Sequence, residues 1–120
     1  MGDYRTLLAY QKAFGLAMKL YHASKKFPTE EKYGIISQIR DSSRSVCANI
    51  VEAYKRRRYK NYFTSKLNDS ETENAETQVW LDFALACEYL TEKEYLQFRC
   101  DNDEVAKLIL YMINHPDKFL

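Results

Sequence analysis

Ser37-Gln38-Ile39-Arg40-Asp41-Ser42-Ser43-Arg44-Ser45-Val46-Cys47-Ala48-Asn49-Ile50-Val51-Glu52-Ala53 holds no Gly or Pro and carries two stripes at helical spacing. Ile36, Ile39, Ser43, Val46 and Ile50 step by three or four, the rhythm that keeps side chains on one face of a packed helix. Beside them run Gln38, Ser42, Ser45, Asn49 and Glu52 at the same rhythm. A solvated face normally carries Lys and Glu, so a row of small hydroxyl and amide groups implies close helix approach with hydrogen bonds across a seam.

Outward from this helix, the composition favours helices throughout. The chain of 120 residues has three Gly and two Pro, too few for a sheet rich in turns. Its length suits one domain over residues 1–120, and such a domain buries roughly two-thirds of its unfolded surface without metals or disulfides. No apolar run approaches the eighteen or so residues of a membrane span, and the N-terminus lacks a charged start followed by an apolar block, so a cytoplasmic protein is expected. Cys47, Cys87 and Cys100 are odd in number, far apart and without a CxxC pair, which favours buried or half-buried thiols over a disulfide framework or a structural zinc site.

Upstream, Leu7, Leu8, Phe14, Ala17, Met18 and Tyr21 recur on a helical period, predicting a first helix near residues 4–26 with these groups inward. Phe27-Pro28-Thr29-Glu30-Glu31 ends it: the residue before a proline disfavours helical geometry, Thr29 can cap, and the glutamates suit a helix N-terminus. The second helix is expected over 30–55. Downstream, Lys55-Arg56-Arg57-Arg58-Tyr59-Lys60 packs five cations into six residues and reads as a loop or frayed helix end. A third helix is expected over 59–89 and a fourth over 92–114, the latter opened by the capping box Thr91-Glu92-Lys93-Glu94 and read from Tyr95, Phe98, Val105, Leu108, Ile109 and Met112. Four such helices predict an all-α, up-down-up-down antiparallel four-helix bundle.

The third helix is polar through its middle. Between Leu67 and Leu81 its inward stripe continues through Ser70 or Glu71, Asn74, and Thr77 or Gln78. These positions face the small polar row of the second helix, so Asn49, Glu52 and Asn74 are expected to share a polar layer, within the bundle or at a subunit contact, that fixes register at some cost in stability.

Catalytic and metal chemistry finds little support. A carboxylate-bridged di-iron centre needs two Glu-x-x-His pairs, yet Lys19 and Met112 stand three residues before His22 and His115. Cys47 has no sequence-near His, and Gly2, Gly15 and Gly34 are isolated rather than gathered in a phosphate loop. No enzyme activity and no cofactor are expected.

Charge is more informative than its net value of +1, for residues 1–67 hold fourteen Lys or Arg against five Asp or Glu and residues 68–120 hold four against twelve. Complementary packing of helix pairs explains this polarity as well as a functional basic surface does. In favour of the surface, Tyr54, Tyr59 and Tyr62 interleave with Lys55, Arg56, Arg57, Arg58 and Lys60. Aromatic faces stack on unpaired bases while cations neutralise phosphates, so RNA or DNA is the expected partner, with a protein-only assembly module as the alternative.

The order Gln11-Lys12-Ala13, Phe27-Pro28, Glu31-Lys32-Tyr33-Gly34, Ser37-Gln38-Ile39-Arg40, Ser45-Val46, Ala48-Asn49-Ile50, Glu52-Ala53 and Glu76-Thr77-Gln78 resembles the bacterial four-helix-bundle proteins encoded by intervening sequences of large-subunit ribosomal RNA genes. That family includes the accessory variability proteins of diversity-generating retroelements. The resemblance implies a ring-shaped homopentamer of basic character and, for the retroelement members, binding to a reverse transcriptase and to nucleic acid. Tyr10, Cys47 and Val51-Glu52-Ala53 depart from the common pattern and mark a divergent subgroup. The resemblance brings no catalytic residues.

Overall fold

The computed structural model describes residues 2–120, and four helices carry the fold: α1 Leu8–Ser24, α2 Ile35–Lys55, α3 Lys60–Ala86 and α4 Glu92–Asn114. No strand is present among the described residues. Each helix packs on its neighbours in sequence and α1 also packs on α4, which closes the ring of four. Cross-helix pairs give the directions. Ser24 meets Arg40, Ser42 meets Thr77 while Val46 meets Ser70, Asn74 meets Asn102 while Asp82 meets Tyr95, and Lys19 meets Asp101 while Lys12 meets Glu104. In each pair one helix rises as the other falls, so the bundle is antiparallel and up-down-up-down. Its long dimension of 44 Å is about that of the 27-residue α3 at ~1.5 Å per residue.

Leu20, Ile39, Ile50, Phe63, Leu67, Leu81, Ile109 and Met112 are fully buried side chains at the bundle axis. Burial of each apolar group of this kind contributes about 1.5–3 kcal/mol. The capping box of α4 forms as expected, with Thr91 accepting from the Glu94 N–H and Glu94 from the Thr91 N–H.

Three sequence expectations need correction. Thr29 opens a single 3-10 turn instead of capping α2, which begins after Gly34. The Glu31 carboxylate supplies that cap from outside the helix, accepting from the Ile35 N–H at 3.3 Å and from the Tyr89 hydroxyl at 2.7 Å. A Cβ at Gly34 would collide with that carboxylate, so glycine keeps the cap open. The phenol of Tyr89 is pushed up to about 12 by this hydrogen bond to Glu31.

The second correction concerns α1, whose buried face is Ala9, Ala13, Leu16, Ala17 and Leu20. Phe14 and Met18, read as inward, are 49% and 41% exposed, and Leu8 is exposed as well. Both faces of α1 are apolar, so periodicity could not rank them; the small residues Ala9 and Ala13 face the bundle because they allow close approach. Third, Cys87 and Cys100 are exposed, while Cys47 is half-buried with its thiol pushed up to about 11 by desolvation.

Candidate nucleic-acid interface

The polar middle of α3 is inside the bundle. Ser70, Asn74 and Thr77 are buried there with Ser42 of α2 and Asn102 of α4. Ser70 donates to the Val46 carbonyl at 2.8 Å, and Thr77 to the Ser42 hydroxyl at 2.8 Å. Asn74 and Asn102 exchange amide donors with each other's backbone carbonyls at 3.2 and 3.1 Å. Asn102 Oδ1, also buried, accepts no hydrogen bond among the described residues.

Of the three residues expected in this layer, Asn74 lies in it. Asn49 is half-buried and turns its amide back to the Ser45 carbonyl of its own helix, and Glu52 is exposed and paired with Lys66 at 3.2 Å. The inward polar groups of α2 are therefore Ser42 and Ser43; Asn49, about two turns on from Ser42, lies at the edge of that face, and Glu52 lies outside it. Asn102 was missed by the sequence reading. Its signal was the sequence Phe98, Asn102, Val105, Ile109, Met112, which places an amide on the apolar stripe of α4.

The basic run forms the turn between α2 and α3. Lys55 ends α2, Arg56 leaves helical geometry, and the extended Tyr59 precedes α3. The turn is held by backbone N–H bonds from Arg56 to Ala53, from Arg57 to Tyr54 and from Tyr59 to Arg56. Arg57 Nη1 also donates to the Tyr54 carbonyl at 2.8 Å, satisfying a helix-end acceptor and complementing the dipole.

Lys55, Arg56, Arg58 and Lys60 are exposed, and Arg57 is half-buried. Three guanidinium groups stand over the interleaved rings, Arg56 on Tyr62 at 5.5 Å, Arg57 on Tyr54 at 4.0 Å and Arg58 on Tyr59 at 5.1 Å. Tyr54 is buried under Arg57, whereas Tyr59 and Tyr62 are exposed. No carboxylate of the described residues lies within ion-pair distance of Lys55, Arg56, Arg58 or Lys60. Complementary packing accounts for other cations: Lys12 and Lys19 on α1 pair with Glu104 and Asp101 on α4. The turn thus gathers positive charge on a rigid element while leaving it available to an anion.

No group of three or more His, Cys, Asp or Glu side chains among the described residues is placed to hold a metal ion. No helix among them is long and apolar enough to cross a membrane.

Comparison with known proteins gives the same architecture. A crystal structure of a protein with unknown function from the S23 ribosomal protein family of Bacteroides thetaiotaomicron VPI-5482 superposes with a TM-score of 0.81 at 30% sequence identity, over 89% of this chain and 96% of that one. No curated protein matches. The family model described as 23S rRNA-intervening sequence protein matches residues 5–111. That span takes in all of α1, α2 and α3 and most of α4, the whole frame that holds the basic turn, so the chain belongs to the 23S rRNA-intervening sequence protein family.

Proposed function

We propose that this is a non-enzymatic, cytoplasmic, oligomeric binding protein whose partner is nucleic acid, engaged through Lys55, Arg56, Arg57, Arg58 and Lys60. The observation that carries this reading is the exposed cation set of the α2–α3 turn, where Lys55, Arg56, Arg58 and Lys60 have no carboxylate at ion-pair distance among the described residues. Clustered like charge is costly on a folded surface, and phosphate groups relieve it while releasing their counterions. Nothing in the turn is shaped to read base edges, so binding is sequence-tolerant. A second reading, self-association alone, rests on exposed Val79 and Phe83 of the acidic α3. A homo-oligomer, a pentamer by family resemblance, repeats the basic turn around a symmetric assembly and joins the two readings.

Affinity of the purified protein for single-stranded and duplex RNA and DNA, measured at about 50 and 200 mM salt, tests the proposal. Binding should fall steeply as salt rises. The R56Q/R57Q/R58Q variant should bind all sequences more weakly and to a similar degree, with its melting temperature lowered modestly by loss of the Arg57 bond to the Tyr54 carbonyl. No binding at the lower salt, or binding indifferent to the triple replacement, would leave the self-associating scaffold. Light scattering at micromolar concentration tests assembly: a monomer there counts against the oligomer.

A further inference from the structure

A ladder of rings runs from the N-terminal turn along α1, its Tyr4 and Tyr10 half-buried against the core and its Phe14 exposed. Tyr4 meets Tyr10 edge-on at 5.0 Å, and Tyr10 stacks with Phe14 at 5.9 Å. With Ala17 and Met18 of α1 and Arg44, Cys47, Ala48 and Val51 of α2, Tyr10 and Phe14 line a groove of about 290 Å³ between the two helices. Its lining is mostly apolar, with Arg44 its one cation, and further cations lie beyond its two ends.

At one end three cations converge on a single ring: Lys25 Nζ at 4.5 Å, and the Arg40 and Arg44 guanidinium carbons at 4.8 and 5.7 Å from the Tyr21 centroid. Arg40 is fixed there, its Nε donating to the buried Ser24 hydroxyl at 2.8 Å. None of the three has a carboxylate at ion-pair distance among the described residues. At the other end Arg5 stands over Tyr4 at 4.6 Å and is paired with Asp3 at 3.2 Å, while Lys55 is near enough to Asp3 to help hold its carboxyl below the usual range, an effect due first to the Arg5 N–H bond. Lys55 begins the basic turn already described. Arg44 and Lys55 are about 16 Å apart along α2 at ~1.5 Å per residue, or under five steps at the ~3.4 Å per nucleotide of a B-DNA strand.

We propose that this α1–α2 groove is a single-strand track: bases stack on Tyr10 and Phe14 while backbone phosphates are held by Lys25, Arg40 and Arg44 at one end and by the basic turn at the other. The proposal rests on the nucleic-acid reading above and adds to it a second phosphate site and a substrate class. Charge complementarity selects the occupant, since an apolar groove with Lys25, Arg40 and Arg44 at one end and Lys55 of the basic turn at the other, all without an ion pair among the described residues, suits a polyanion with aromatic faces. The exposed Phe14 ring, with the half-buried Tyr10 beside it, selects the single strand, because bases inside a duplex are already stacked on one another.

Four proteins distinguish the outcomes, each tested with a 20-nucleotide oligothymidylate and a 20-base-pair duplex across a salt series. In F14A the single strand should bind about tenfold more weakly through lost base stacking, with the salt slope unchanged. In K25Q/R44Q the slope of log affinity against log salt should shrink by about 1.4, at ~0.7 per phosphate contact. A K93Q/K107Q control removes the same charge from α4 and should leave the slope near that of the parent protein. If the parent protein binds but F14A binds the single strand equally well, or the control lowers the slope as much as K25Q/R44Q does, the track is wrong and the basic turn stands alone. If F14A lowers the assembly mass in light scattering, a second copy of the chain covers the groove and the track is again wrong. Absence of binding by the parent protein defeats the nucleic-acid reading itself.

Discussion

Two polar regions sit on the same pair of helices and meet opposite fates. Near the middle of α2 and α3, Ser42, Ser70, Asn74 and Thr77 are buried with Asn102. At the α2–α3 turn Lys55, Arg56, Arg58 and Lys60 remain in solvent. Size and charge separate them. A hydroxyl or primary amide can satisfy its donor on a neighbouring helix carbonyl with little reorganisation, as Ser70 does on Val46 and Asn74 on Asn102. A guanidinium or ammonium loses far more on desolvation than one hydrogen bond returns, so it enters the interior only with a paired anion. Polar residues in this fold are therefore of two kinds: those that join helices across the bundle, and those that stay in solvent.

The largest test of that distinction places a charge in the inner layer. Asn102→Asp puts a carboxylate where Oδ1 already lacks a donor. It should destabilise the protein by about 3 kcal/mol at pH 7. Burial raises the folded pKa of the new carboxyl above its unfolded value, so the part of the deficit due to charge should be absent below about pH 4 and grow as pH rises through the folded pKa, leaving at low pH only the cost of the lost Nδ2 bond to the Asn74 carbonyl. Denaturant unfolding at pH 4 and pH 7 checks this, and equal destabilisation at both would break the comparison.

A smaller effect is expected of Thr77→Val, which keeps the shape but removes the donor to Ser42 Oγ and the backbone bond to Glu73. A loss of about 1 kcal/mol should appear as a lower denaturant midpoint with unchanged slope. A gain in stability would show that the layer costs more than it returns.

The smallest effect lies outside the layer, on the acidic side of α3. Glu73 is pushed up to about 7 by desolvation first, then by a hydrogen bond and repulsion from Glu76 and by the charge of Asp69. Because the folded pKa exceeds the unfolded one, the contribution of this carboxyl to stability is present at low pH and is lost as pH rises toward and through 7. Glu73→Gln should therefore stabilise the protein at pH 8 by about 0.2–0.5 kcal/mol, as for removal of a like-charge helical pair, and the gain should vanish near pH 4. Thermal melting at the two pH values is the measurement; a gain independent of pH would remove repulsion as its cause.

Much of the bundle was legible in residue order. Few Gly and Pro, the α4 capping box, and Leu67, Ser70, Asn74, Thr77 and Leu81 at helical spacing fixed helix number, approximate bounds and the inward face of α3. The same spacing failed for α1, where Phe14 and Met18 looked like core and turned out exposed. Within the bundle Glu52 does not join the inner layer either, for it lies on the outer edge of α2 beside Lys66. The basic turn was visible as charge, but the cluster around Tyr21 was not, because Lys25 lies on one side of a helix junction and Arg40 and Arg44 on the other.

By itself the sequence determined what is local: which segments are helical, where they stop, and that one turn holds five cations in six residues. Tertiary structure alone decided which of two apolar faces of α1 is buried, which amides find carbonyls across the bundle, and which cations are left unpaired. The physical reason is that helical periodicity ranks positions around an axis but carries no information about the surface opposite. Burial and hydrogen bonding depend on that opposite surface, which exists only when all four helices are in place.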